Sequence, residues 1–230
     1  MALRIDPNAA FDHLTRVDPV MARLAASIGP VDLRADSDNP FRSLARSIVF
    51  QQLSGTAAGT IFGRFVALFD PDAQVDPNMR RSNPAWEPPK GYFPQPGELL
   101  AVDDETLRSA GLSRQKVASL RSLAEHFASG ELGSEAFDAW EDEDIIAHLT
   151  RVRGIGRWTA EMFLMFHLQR PDVLPVNDVG INRAIMKQYG LDALPLPDRV
   201  REIGDPWRPH ATAACLYLWR SEDVKLPALD

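Results

Sequence analysis

The stretch Leu149–Ile185, LTRVRGIGRWTAEMFLMFHLQRPDVLPVNDVGINRAI, constrains this chain more than any other. It reads as the end of one helix, a glycine turn, a second helix, a proline-bounded loop and the start of a third. Gly154 and Gly156 flank Ile155, which suits a turn that needs close backbone approach or a positive φ. Past the turn, Trp158, Met162, Met165 and Phe166 recur on one helical face. The first N–H groups of a helix have no intrahelical partner, so this turn is a candidate anion site. Asp178 then stands where the next helix begins. A phosphate-sized anion site and a nearby carboxylate are the parts an enzyme acting on nucleic acid needs.

The rest of the chain repeats the helical pattern. Short helices are expected over 8–14 and 19–28, the second ended by Gly29-Pro30. Asn39-Pro40 is an N-cap followed by proline at the first helical position, and Phe41, Leu44, Ala45, Ile48 and Val49 follow at helical spacing. Another apolar helix starts at Thr56, so Gln51-Gln52-Leu53-Ser54-Gly55 is a turn between two helices. That turn reads either as ordinary surface or as a tip that enters a partner. Asp70 to Gly97 is rich in proline and is read as a long loop in which Trp86, Tyr92 and Phe93 pack locally. Asp103 and Ser113 cap two further helices, acidic residues open one over 141–149, and others are expected near 157–169, 178–189, 197–204 and 208–220. No segment alternates apolar and polar residues convincingly. The predicted fold class is all-α, with roughly ten helices joined by short loops.

Composition narrows the function classes. Of 230 residues, 45% are hydrophobic and 25% charged, which is ordinary for a globular protein. No apolar run approaches the ~18 residues of a membrane span. The N-terminal MALRIDPNAAFDHL has no basic head followed by an apolar block, so a cytoplasmic location is expected, on the nucleoid in a bacterium. Cys215, the single cysteine, sits in an apolar helical run, which excludes a disulfide framework, a zinc knuckle or a cysteine-ligated iron–sulfur cluster within one chain. The net charge of −7 argues against electrostatic coating of nucleic acid. Local charge differs: between Leu149 and Arg170 stand Arg151, Arg153, Arg157 and Arg170, against Glu161 alone.

These motifs together resemble the helix–hairpin–helix DNA glycosylase superfamily. RGIGRWTAEMF, PVNDVGINRAI, FQQLSGTAAGTI, GLSRQKVASLRSLAE and DPWRPHATAACLYLWR resemble, in that family's order, the AlkA-type and yeast-type 3-methyladenine DNA glycosylases. The match runs from Asn39 to Arg220. It implies a single glycosylase unit of two helical lobes with the active site in the cleft between them. Residues 38–174 would form the central lobe, with the helix–hairpin–helix at about 141–169, and 1–37 plus 175–230 the second lobe. The implied reaction is hydrolysis of the N-glycosidic bond of alkylated purines, of the 3-methyladenine or 7-methylguanine type, in double-stranded DNA, by a monomer. The catalytic aspartate falls on Asp178, the hairpin on Arg153 to Gly156, and the gap-filling leucine on Leu53. A monovalent cation, Na+ or K+, would be held by the carbonyls of Thr150, Val152 and Ile155. A base-stacking aromatic falls on Trp207. The chain departs from the family at Asn177, where relatives often carry a second acid, and at Met162, where some carry an aromatic residue. It also resembles the compact form that lacks a β-rich N-terminal region. The lysine nucleophile of bifunctional relatives would stand at Trp158, so the resemblance implies no strand-cutting step and no required cofactor.

The residues fit that chemistry on physical grounds. A base inside a duplex must be extruded before its glycosidic bond can be attacked, at a cost of a few kcal/mol that an apolar wedge partly offsets. Leu53, rimmed by Gln51 and Gln52, suits the wedge, and also suits a simple cap on the helix junction. Aromatic faces attract a cationic alkylated base, which nominates Trp207, Trp158 and Tyr217 for the base pocket beside Met162, with core packing as the alternative. Asp178 beside the sugar would stabilise a developing oxocarbenium ion and orient water, or else only cap its helix, a role Asn177 could take instead. Backbone N–H groups at Gly154, Ile155 and Gly156, with Arg153 and Arg157, would hold a phosphate without a basic surface. A non-catalytic DNA-binding module, or a glycosylase for deaminated or oxidised bases, would use the same parts.

Overall fold

A computed structural model of the chain describes residues 5–31, 39–70 and 92–223. Among these residues the secondary structure is helical throughout, with no strand. The helices are α1 (Pro7–Val17), α2 (Pro19–Ile28), α3 (Pro40–Phe50), α4 (Gly55–Ala67), α5 (Pro96–Ala101), α6 (Asp104–Ser109) and α7 (Arg114–Ala128). They continue with α8 (Ser134–Ala139), α9 (Asp142–Leu149), α10 (Arg157–Phe166), α11 (Val179–Gln188) and α12 (Pro197–Gly204). A single 3-10 turn over Asp205–Trp207 then leads to α13 (Ala211–Asp223). No described helix is long and apolar enough to cross a membrane.

The helix starts are dictated locally. Asp6, Asp18 and Asn39 each accept a backbone N–H of the turn they precede, and each is followed by a proline that needs no hydrogen bond at that position. Ser54, Asp103 and Ser113 cap α4, α6 and α7 in the same way. Helix α5 lies partly inside what the proline content predicts to be a loop up to Gly97. The Glu98 carboxylate reaches back 2.7 Å to the Gln95 N–H, and Pro96 takes the first helical position, so proline here opens a helix. The rest of that predicted loop, 71–91 with Trp86, lies outside the described residues. Helix α8 also escapes the sequence pattern, because six residues are too few to show a helical period. The helix expected over 157–169 ends at Phe166, and the last helix starts at Ala211 and not at 208.

The chain divides into two compact units, Met1–Arg34 with Leu164–Asp230 and Ala35–Phe163. The division places residues 164–174 with the terminal segments, where the family pattern had assigned them to the central lobe. Within the central unit, α7 packs against α3, α5 and α6. Its interior is aromatic: Phe93 stacks on Phe62 at 6.0 Å, and Phe137 meets Phe163 edge-on at 5.1 Å. Within the terminal unit, α13 packs on α1, α2 and α11.

The terminal unit is knotted around one carboxylate, Asp18, buried between α1 and α2. Its Oδ1 accepts the N–H groups of Val20 (2.8 Å) and Met21 (3.2 Å). Its Oδ2 accepts the Tyr189 hydroxyl (2.5 Å) and Trp207 Nε1 (2.8 Å). One side chain therefore joins the start of α2, the end of α11 and the 3-10 turn. A buried carboxylate is tolerated where its lone pairs are filled in this way.

Candidate active site

The hairpin forms as the glycine pattern requires. Helix α9 ends at Leu149, Thr150 to Gly156 turn the chain, and Arg157 opens α10. Gly154 has φ +82°, and a Cβ there would lie 2.4 Å from the Ser119 Oγ of α7. Both the backbone conformation and the approach of α7 demand glycine at this point. The Ile155 N–H donates to the Val152 carbonyl (3.1 Å), and the Arg153 N–H donates to the Ser122 Oγ (3.2 Å). The turn is thus tied to α7 by one hydrogen bond and packs closely on it at Gly154, while Arg153, Gly154 and Gly156 remain exposed. The side chains of Val152 and Ile155 are buried and that of Thr150 bonds back to the Ile146 carbonyl, so what these residues can offer a cation is main-chain oxygen.

Arg157 does not present its guanidinium as expected for a phosphate contact. Its Nη1 lies 3.0 Å from Glu143 Oε2 and its Nε 3.0 Å from Glu161 Oε1, so it braces α9 against α10. The Glu143 hydrogen bond raises the guanidinium pKa, and the same bond holds the Glu143 carboxyl below its ordinary value. Two carboxylate partners therefore engage Arg157, whose side chain is half exposed.

The turn between α3 and α4 belongs to the same unit as the hairpin. Gln52 is left-handed, with φ 58°, a conformation that few residues other than glycine or asparagine adopt cheaply. Next to it Leu53 is 39% exposed. An exposed leucine beside a strained residue suits a tip that enters a partner better than a cap on a helix junction. Trp158, at the second position of α10, is likewise 49% exposed, whereas Met162 is buried.

Asp178 is buried, with 7% exposure, and it is itself the N-cap of α11. Its Oδ1 accepts the Ile181 N–H (2.8 Å) and Trp219 Nε1 (3.0 Å). Asn177, proposed from sequence as the alternative cap, is exposed and does not cap α11. The loop before Asp178 is held from within α11, since Asn182 Nδ2 donates to the Val176 carbonyl (3.1 Å). The carboxylate therefore sits at the positive end of a helix with one oxygen fixed in direction by two donors.

The aromatic assignments change. Trp207 has no exposed surface, and its Nε1 is bound to Asp18, so it is a core residue and cannot stack on an incoming base in this conformation. Tyr217 is equally buried, and burial pushes its hydroxyl pKa up. The aromatic ring that reaches the carboxylate is Trp219, which sequence pattern left unassigned. It is partly exposed and stacks on Phe166 with centroids 5.8 Å apart. Gly180 makes room for it, since a Cβ there would lie 3.1 Å from both Asp178 Oδ1 and Trp219 Nε1. Two residues along α13 turn a side chain through about 200°, so Tyr217 and Trp219 necessarily face different ways.

Comparison with known proteins shows the family and the fold. Residues 45–209 match the family model described as HhH-GPD superfamily base excision DNA repair protein. The chain is 33% identical over 215 residues to DNA-3-methyladenine glycosylase 1 of Schizosaccharomyces pombe, covering 92% of this chain and 86% of that protein. Among solved structures it resembles the S. pombe 3-methyladenine DNA glycosylase in complex with abasic DNA, with TM-score 0.76 and 32% identity over 96% of this chain and 100% of that one. The DNA-3-methyladenine glycosidase of Bacillus halodurans also gives TM-score 0.76, with 36% identity over 92% of this chain and 88% of that one.

Proposed function

Because the chain belongs to the HhH-GPD superfamily of base excision DNA repair proteins, we propose that it is a monofunctional DNA glycosylase that removes alkylated purines from duplex DNA as a monomer. The observation that carries this reading is the buried Asp178 carboxylate at the start of α11, aimed by the Ile181 N–H and by Trp219. The exposed N–H groups of Gly154 and Gly156, with Arg153, hold a backbone phosphate. Gln52 and Leu53 enter the duplex, and Leu53 fills the space the extruded nucleotide leaves.

The bond that breaks joins C1′ of the sugar to the ring nitrogen of the base, and its electron pair leaves with the base. An alkylated base carries a positive charge before it departs and is neutral afterwards. The positive charge that appears on the sugar is stabilised by the Asp178 carboxylate. Water then bonds to C1′ and gives its proton to that carboxylate or to solvent. Trp219 takes the role expected of Trp207, as an aromatic face beside the carboxylate that attracts a cationic base.

Incubation with a methylated duplex should release 3-methyladenine or 7-methylguanine, measured as free base by chromatography. The abasic product should stay uncut until base or a nuclease is added. Intact DNA binding with no base released would leave a non-catalytic module. Strand cutting by the protein alone would overturn the monofunctional reading.

The carbonyls of Thr150, Val152 and Ile155 are hard oxygen donors and suit Na+ or K+ at the hairpin. The cation would grip the phosphate and take no part in bond breaking. Replacing K+ by tetramethylammonium at constant ionic strength should weaken duplex affinity several-fold, on the scale of a charge-assisted contact, while the release rate at saturating DNA holds. Unchanged affinity in the large cation would remove the site.

A further inference from the structure

Gln51 has a job that neither its position in sequence nor the family pattern assigns. Its backbone is extended and ends α3, while Gln52 and Leu53 project beyond it as the exposed tip. Its side chain runs the other way, toward the hairpin. The Nε2 donates to the Gly154 carbonyl at 3.0 Å and to the Thr159 Oγ1 at 3.4 Å. A carbonyl can only accept, so the orientation of this amide is set by chemistry. The Gln51 carbonyl in turn accepts Lys116 Nζ at 3.0 Å, and the same ammonium bonds the Val49 carbonyl. Burial alone lowers the pKa of Lys116, against the pull of the two carbonyls, which favour the charged form.

The peptide between Gly154 and Ile155 is thereby held at both ends. Its oxygen is taken by Gln51 and its N–H by the Val152 carbonyl. Fixing that plane also fixes where the neighbouring N–H groups point, and these are the donors the phosphate would use. A hydrogen bond between residues 103 positions apart in sequence thus joins the hairpin to the turn that carries Leu53.

We propose that Gln51 is a positioning residue whose amide locks the Leu53 tip to the hairpin, so that entry into the duplex and grip on its backbone occur as one movement. This rests on the reading of Leu53 as the wedge and of the hairpin as the phosphate site. Gln51 itself touches neither the base nor the sugar.

A double-mutant cycle tests it, with affinity for a duplex containing one abasic site as the readout. Gln51→Ala should weaken binding about tenfold, and Gln51→Glu, which keeps the length but loses the donor, by at least as much. In a Leu53→Ala background the same Gln51 substitutions should cost less than about twofold, because the tip they aim no longer inserts. Equal losses in both backgrounds would make Gln51 a brace of the hairpin alone and overturn the coupling, as would no loss in either. Thermal melting of each variant separates misfolding from lost coupling, and Gln51→Glu carries the test where Gln51→Ala does not fold. Leu53→Ala matching the wild type would overturn the wedge and this proposal with it. Failure of the enzymatic reading shows separately, as a wild type that releases no base while the cycle still reveals coupling.

Discussion

Asp178→Asn is expected to lower single-turnover base release by at least about 10²- to 10³-fold, the loss typical when one preorganised electrostatic group is removed from a transition state. The same protein should melt within a few degrees of wild type. The helix cap needs only an acceptor oxygen, whereas the reaction needs the charge. Asparagine is as good an N-cap as aspartate, and its carbonyl oxygen can accept the Ile181 N–H and Trp219 Nε1 that Oδ1 accepts now. What asparagine lacks is the negative charge, which a buried site makes more valuable than water would. Affinity for an abasic duplex should change little, since the hairpin and the Leu53 tip are untouched. Trp219→Phe provides the complementary case, keeping an aromatic face and the charge while removing one donor. Its release rate should fall by a smaller factor, around tenfold, the worth of one charged hydrogen bond. Base release that survives in Asp178→Asn would reduce the carboxylate to the helix cap it also is.

How legible this was in the sequence depended on the range of the interaction. Local rules served well. Aspartate or asparagine followed by proline marks α1, α2 and α3, and the glycine turn places the hairpin between α9 and α10. The leucine tip and the carboxylate at the start of α11 also stand where motif and spacing put them. What failed depended on partners far away in the chain. Arg157 is a mixed case: its pair with Glu161, four residues along the same helix, is legible from spacing, whereas its pair with Glu143 needs the other helix of the hairpin. Trp207 looked like an open aromatic because nothing near it reveals Asp18, 189 positions earlier, as the acceptor for its indole. Trp219 was missed because its contact with Asp178 needs α13 to lie on α11, a packing no local pattern encodes. Gln51 was passed over beside Gln52 and Leu53 for the same reason, its acceptor being Gly154.

The second large effect falls on stability, at Asp18. Asp18→Ala should cost about 3–5 kcal/mol, read from urea unfolding, because it removes a cap and strands one buried donor and one part-buried donor at once. Loss of the cap on α2 is worth about 1 kcal/mol. The Tyr189 hydroxyl and the Trp207 indole N–H would each be left without an acceptor, at about 1–3 kcal/mol apiece. Asp18→Asn should cost less, since its oxygen can still accept from either pair but not all four donors keep a charged partner. Burial, followed by the bond to Asp18, drives the Tyr189 hydroxyl pKa well above its ordinary value. The neutral phenol is therefore the form the fold prefers. Its contribution is complete below the unfolded tyrosine value of about 10 and is lost as pH rises beyond it. Wild type should accordingly lose stability on the alkaline side, and Tyr189→Phe should flatten that limb. A cost below 1 kcal/mol for Asp18→Ala would mean that water reaches the stranded donors and that the carboxylate is no knot. Asp18 meets Tyr189 just past the far end of α11 from Asp178, so the folded fraction of Asp18→Ala, assayed in the cold, should release base at close to the wild-type rate. Loss of folded protein with retained activity per folded molecule would separate what holds the terminal unit together from what breaks the glycosidic bond.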